Sequence, residues 1–499
     1  MHTNIRNNIL NINYIMKKVL FILPLAILMM ASCKKEDQAA YVNADKEILE
    51  FSAEGGNESI KLSSNALWNI ETDGQQWYSV SPVSGNGNAE ITITVEGGYT
   101  EAVSRLAQIT IKAGDASAIV SLLQNRPEVP DTPGERAFRV RAYEQDYSLP
   151  APKGYTYKVA SLEGEGASVV STDASNIVLH FDRNTSAEDR EFKLNLTTTD
   201  DIAIETVTLT QSWRSIEPGE LVIDEIFFTG VLIPDSDNSD SRYGDQYFKL
   251  TNTTDETLYA DGVLIAISET DSQVTSAGAR WAYPDEPDSL GVNTLYSIPG
   301  EGKDVAIEAG KSIVLAINAQ NFKSENGAGC DLSKADFEFY DYTGNDDYPD
   351  IDNPDVTNLE TWFKSSWTFT TLHDRGYESY AIAVAPYGMK ANTFTKDYAW
   401  IGKRVFDFNG YHMEQDIENA YLIPNSWVLD AVNCAVEENL STLAFNASVD
   451  AGYTNVSSID RDPERYGKSV IRKRDAEGKI LDTNNSTNDF EVNLNPTMK

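Results

Sequence analysis

"SNIVLHFDRNTSAEDREFKLNLTTTDDIAIETVTLTQSW", residues 175–213, is built of short alternating or β-branched runs. Asp, Asn and Ser breaks separate them, so each run reads as a strand and each break as a turn. An upstream stretch, "AEITITVEGGYTEAVSRLAQITIKAGDASAIVSLLQ" (residues 89–124), has the same layout. Ile177, Arg190 and Gln211 align with Ile91, Arg105 and Gln124, at spacings of 13 and 21 against 14 and 19. Each unit closes on a strand that ends in Gln followed by a polar residue. A repeated unit of short strands predicts tandem all-β sandwiches.

The reading extends outward on both sides. "EILEFSA" and "ESIKLSS" are further strands ahead of residue 89. "RPEVPDTPGE", residues 126–135, holds three prolines and a glycine and reads as a linker. The first sandwich therefore takes residues 42–126, the linker 127–135 and the second sandwich 136–214. Long helical periodicity is nearly absent.

The first unit also carries "LWNIETDGQQWYSVSPVSGNGNAEITITV", residues 67–95, with Trp68 and Trp77 ahead of a turn-rich "SPVSGNGN". Followed by Arg105 and the terminal Gln124, this order resembles the BACON domain. That domain is an immunoglobulin-like sandwich of Bacteroidetes surface and carbohydrate-processing proteins. The resemblance implies either carbohydrate binding or a spacer that lifts another domain off the membrane. The second unit is similar but divergent, with Tyr155 and Tyr157 where the tryptophans would stand.

From residue 217 the texture changes. "GELVIDEIFFTG", "DQYFKLTNTTDETLYADGVLIAIS" and "IEAGKSIVLAINAQNF" resemble a lamin-tail sandwich. "DLSKADFEFYD", "DNPDVTNLETWF", "GKSVIRKR" and "DTNNSTNDFEV" narrow the likeness. Together they resemble a Bacteroidetes lipoprotein family, domain of unknown function 4876, across 217–499. The resemblance implies a fold and no mechanism. The fold class expected is all-β: tandem immunoglobulin-like sandwiches followed by a larger lamin-tail-like β-sandwich.

The N-terminus reads differently. "LPLAILMMASCKKED", residues 23–37, is a short apolar run behind Lys17 and Lys18, ending in small residues and Cys33. It is shorter than the about 20 apolar residues of a membrane span, and its flanks are those of a secretory signal. The cysteine after Ala31 and Ser32 resembles a bacterial lipoprotein signal, so residues 1–33 are the signal, Cys33 the lipidated residue and 34–44 a tether. Met16 begins a complete signal by itself. Lys35, Glu36 and Asp37 resemble the Bacteroidetes surface-export signal. The implied location is the outer membrane at the cell surface, held by acyl chains that contribute about 0.8 kcal/mol per buried methylene.

The chain has 40 basic and 77 acidic residues. Losing residues 1–32 removes Arg6, Lys17 and Lys18 and no acid, so the net charge moves from −37 to −40. Phosphates would be repelled, which excludes nucleic acid as a partner. Of three cysteines, only Cys330 and Cys434 remain beside Cys33, as one disulfide or two thiols.

Aromatic and acidic side chains are the candidate sites. Sugar rings stack on Trp and Tyr faces, so Trp77, Tyr78, Trp362 and Trp367 are candidate glycan platforms, while Trp68 reads as core. Asp346, Asp347, Asp350, Asp352 and Asp355 crowd one loop with Asp341. They read as a solvated surface or as oxygen ligands for Ca²⁺. Asp224 and Glu225 are neighbours on a strand and point to opposite faces, which excludes a joint catalytic role. No nucleophile elbow, HExxH, Walker loop or CxxC is present. The expectation is a non-enzymatic surface protein that binds glycan or glycoprotein. The alternative is a structural accessory subunit of a nutrient-uptake complex, or an adhesin, with the BACON units as spacers.

Overall fold

The structure is a computed structural model that describes residues 39–129, 132–273, 279–323, 327–347 and 349–499. Cys33, Lys35, Glu36 and Asp37 lie outside the described residues. The described residues form two compact units, one ending at Pro127 and one from Glu128 to Lys499.

The first unit is a sandwich of two sheets. One sheet orders Val42–Ala44, Gly56–Ser64, Ala89–Val95 and Tyr78–Ser81. The other orders Ile48–Phe51, Ala116–Gln124, Arg105–Ala113, Leu67–Thr72 and Ser84–Asn86. Alternation along each strand turns Ile60, Ile91, Ile109 and Leu122 inward. Trp68 is core: its indole N–H donates to the Gly87 carbonyl at 2.9 Å. Gly85 lies against that ring, where an added Cβ would sit 2.5 Å from a ring carbon.

The second unit holds the second sandwich and the large C-terminal head. In the sandwich, Gly134–Val140, Ala203–Gln211, Arg190–Thr198 and Tyr157–Glu163 form one sheet, and Gln145–Pro150, Asn176–Phe181 and Ala167–Thr172 the other. Its first strand starts at Gly134, inside the stretch read as linker. In both sandwiches an early strand runs parallel to the last, Ile48–Phe51 in the first and Gly134–Val140 in the second, with Phe51 opposite Gln124 and Val140 opposite Gln211. Phe181, Phe192, Leu194 and Val207 fill the second core.

The head packs a seven-stranded sheet against a six-stranded one. Leu221–Phe227 and Tyr247–Asn252 are central in the first, Val263–Ser268 and Tyr380–Val384 in the second. Ile223, Phe248, Ile265 and Tyr380 meet between the sheets. The strands Val263–Ser268 and Tyr380–Val384 are buried along their whole length. Their outer faces are covered by Phe394 of the helix Ala391–Asp397 and by Trp427. A strand buried on both faces reads as a continuous apolar run, not as an alternation.

Cys330 and Cys434 are buried free thiols in separate core clusters. Asp224 and Glu225 are also buried, and their partners differ. Arg474 and Thr251 hold Asp224, whereas Tyr247, Ser469 and Thr497 donate to Glu225.

Candidate functional site

The second sandwich is fastened to the head by arginines. Arg141 reaches both oxygens of Glu220, at 2.6 and 3.1 Å, and Glu256 at 3.1 Å. Arg139 donates to Glu217 at 2.9 Å. Tyr143 meets Tyr259 edge-to-face at 5.6 Å, and the Lys303 ammonium donates to the Glu144 carbonyl at 2.8 Å. Two bidentate or shared arginine contacts beside an aromatic pair make a firm joint.

Next to this joint is a cleft of about 900 Å³. The sandwich contributes Arg183, Asn184 and Trp213. The head contributes the Gly300–Gly302 turn, Trp362 of the strand Glu360–Lys364, and the segment from Tyr387 to Asn392. Trp213 and Trp362 are half-buried and pack against the core cluster that contains Phe394. Tyr387 is 54% exposed, and the Arg183 guanidinium lies 4.8 Å over its ring. The Asp261 carboxylate is committed to the fold, because the N–H groups of Gly302, Asp304 and Val305 donate to it. The Asn184 amide is likewise engaged by the carbonyls of Glu188 and Ser212. Three aromatic rings with polar side chains around them suit an amphipathic ligand such as a sugar, which offers CH faces and hydroxyls.

The candidates named from the sequence separate in the structure. Trp77 and Tyr78 are each 7% exposed and belong to the first core. Arg105 covers the Trp77 ring at 4.5 Å. The Tyr78 hydroxyl donates to Asp73 at 2.8 Å, and burial with that contact pushes its pKa up to about 12. Neither ring offers a face to a sugar, which corrects that expectation. Trp362 lines the cleft, and Trp367, five residues on, is 70% exposed.

The acid-rich loop does not gather its carboxylates. Asp341 is buried against Lys364 at 3.1 Å and accepts from Tyr296 at 2.6 Å. Asp350 accepts from the N–H groups of Asp341 and Ile351, and its burial raises its pKa. Asp352 accepts from the Asn358 amide, and Asp346, Asp347, Asp352 and Asp355 are exposed. Among the described residues, no group of three or more His, Cys, Asp or Glu is placed to hold a metal ion. The arrangement of the described carboxylates is that of a solvated acidic surface, the first of the two readings. Asp341 and Asp350 are tied into the fold, while Asp346, Asp347, Asp352 and Asp355 face water.

Sequence reasoning missed Trp213, Arg183 and Tyr387. Trp213 sits just past the terminal Gln211, and the other two lie in loops. The only local signal was a tryptophan outside any alternating run.

Comparison with known proteins gives two family matches. Residues 67–125 match BACON, described as "Putative binding domain, N-terminal". Residues 308–497 match "Protein of unknown function (DUF4876)". A xyloglucan-specific endo-beta-1,4-glucanase of Bacteroides ovatus is 31% identical over 118 residues, 23% of each chain. The chain thus spans under a quarter of that enzyme's length. Among solved structures, a DUF4876 family protein from Bacteroides thetaiotaomicron aligns over 74% of this chain and 96% of its own, at 17% identity and a TM-score of 0.43. The Bacteroides ovatus GH5 xyloglucanase bound to a XXXG heptasaccharide aligns over 20% of this chain and 26% of its own, at 24% identity and a TM-score of 0.16.

Proposed function

We propose that this is a non-catalytic carbohydrate-binding protein, anchored in the outer membrane by lipid on Cys33 and displayed at the cell surface through Lys35, Glu36 and Asp37. The observation that carries the binding role is the convergence of Trp213, Trp362 and Tyr387 on one cleft. The BACON match and the segment shared with a xyloglucan-degrading enzyme support an association with carbohydrate. The test is a glycan array probed with the chain carrying Cys33→Ser, which keeps it unlipidated. Retention of a glycan by this protein and its loss in Trp362→Ala is the expected result. An array with no retained glycan would sink the reading. In cells, a fatty-acid analogue should label the wild type and not Cys33→Ser.

A second reading, an accessory subunit of a nutrient-uptake complex or an adhesin, rests on one observation. The first sandwich buries Trp68, Trp77 and Tyr78, and so has the character of a spacer. Co-purification of a stoichiometric outer-membrane partner with a protein that retains no glycan would favour it.

A further inference from the structure

Arg183 stands apart in a chain with 77 acids against 40 bases. Among the described residues it is the arginine whose guanidinium makes no hydrogen bond and no ion pair; its recorded contact is with the face of Tyr387. Arg242, half-buried like Arg183, and even the exposed Arg461 hold carboxylates. Arg183 is half-buried, so its five donors are partly withdrawn from water without protein partners. Its position is also built. Gly302, in the left-handed region at φ +123°, leaves it room: a Cβ there would sit 2.1 Å from Nη2.

A guanidinium stacked on an aromatic ring keeps its in-plane donors available, and those donors match a carboxylate bidentately. The cleft's own acids do not supply that carboxylate. Asp261 is held by three backbone N–H groups, and Glu301 and Glu360 are exposed at the rim. Lys390, exposed on the same cleft, adds a second cation whose ammonium makes no hydrogen bond or ion pair among the described residues.

We propose that the cleft selects acidic carbohydrate: a uronic-acid residue whose carboxylate pairs with Arg183 while a neighbouring ring stacks on Trp362 or Trp213. This rests on the carbohydrate-binding reading above and names the class of sugar. Recognition of one carboxylate by one preset arginine also gives a chain of high negative charge a way to hold an anionic polymer that the rest of its surface repels.

The experiment is calorimetric titration with uronic-acid oligosaccharides (galacturonate, alginate and glucuronoxylan series) and the carboxyl-reduced form of each. At least one acidic oligosaccharide should bind on the order of 10- to 100-fold more tightly than its reduced counterpart. Arg183→Gln should abolish that difference with an unchanged melting temperature, since no hydrogen bond of the fold is lost. Trp362→Ala should weaken both forms alike. If neutral glycans bind and uronates do not, or if the difference survives Arg183→Gln, the acidic-sugar inference is overturned while the carbohydrate reading stands. If no carbohydrate binds, both fall.

Discussion

Arg105 donates from Nε to the side-chain oxygen of Gln124 at 2.9 Å, across two paired strands of the first sandwich. Arg190 makes the same contact with Gln211 at 3.2 Å in the second. Each glutamine is fully buried, and its amide nitrogen turns to backbone carbonyls: Ser52, Ala53 and Glu96 in one case, Arg141, Ala142 and Asp182 in the other. The repeated Arg…Gln spacing in the sequence is thus a hydrogen-bonded clasp. It ties the last strand to the chain leaving the strand parallel to it.

Gln124→Leu keeps the volume and leaves those carbonyls without a donor. The expected cost is about 2–4 kcal/mol, since buried polar groups lose their partners. It is read as a lower urea midpoint for the first unit. Gln211→Leu should act likewise on the second sandwich. Unchanged midpoints in both variants would show that the clasp carries no stability.

The second sandwich and the head should unfold together because Arg141 bridges Glu220 and Glu256. Arg141→Ala should uncouple them. Hydrogen exchange would then rise in Gln145–Pro150 and Gly134–Val140 before it rises in Leu221–Phe227. Uniform exchange across all three strands in the variant would contradict the joint's role.

Arg472 is buried in the head, with both oxygens of Asp430 at 2.6 Å and Asp489 at 3.5 Å. Arg472→Met should destabilise the head by about 3–5 kcal/mol, because it strands buried carboxylates. The double variant Arg472→Met with Asp430→Leu should recover part of the loss. A double variant weaker than the single would mean that Asp430 has a role apart from this pair.

Glu378 has its pKa pushed up to about 7 by desolvation, although the His373 N–H donates to it at 3.0 Å. A carboxyl with a raised folded pKa holds its proton longer in the folded state than in the unfolded one. Its contribution is present at low pH and is lost as pH climbs from the ordinary 4.5 through about 7. Glu378→Gln should therefore match the wild type near pH 4.5 and melt higher than it at pH 8. A constant offset in melting temperature across that range would rule out this titration.

The alternating runs, their turn residues and the repeated Ile, Arg and Gln positions were enough to set two short-stranded sandwiches and an all-β chain. They work because a strand's period of two is a local property: Phe192, Leu194 and Leu196 share a face wherever the strand lies. Trp362 was also legible as a candidate platform, as an aromatic in "NLETWF", and it lines the cleft. Burial is not local in this way. Trp77 and Tyr78 looked like a platform until the second sheet and Arg105 closed over them.

The cleft was beyond local reading altogether. It joins Arg183 and Trp213 of one sandwich to Trp362 and Tyr387 of the head, residues up to 204 positions apart in the chain. Arg183 in sequence is an ordinary arginine in "HFDRNTS", with Asp182 beside it. Only the packing shows that Asp182 takes no part and that Tyr387 does. The sequence by itself determined the strands, the clasp residues and the strong negative charge, each of which depends on neighbours along the chain or on composition. Which aromatics face solvent, and which arginine among the described residues is left with neither hydrogen bond nor ion pair, are pairings made across space, and the tertiary structure alone decided them.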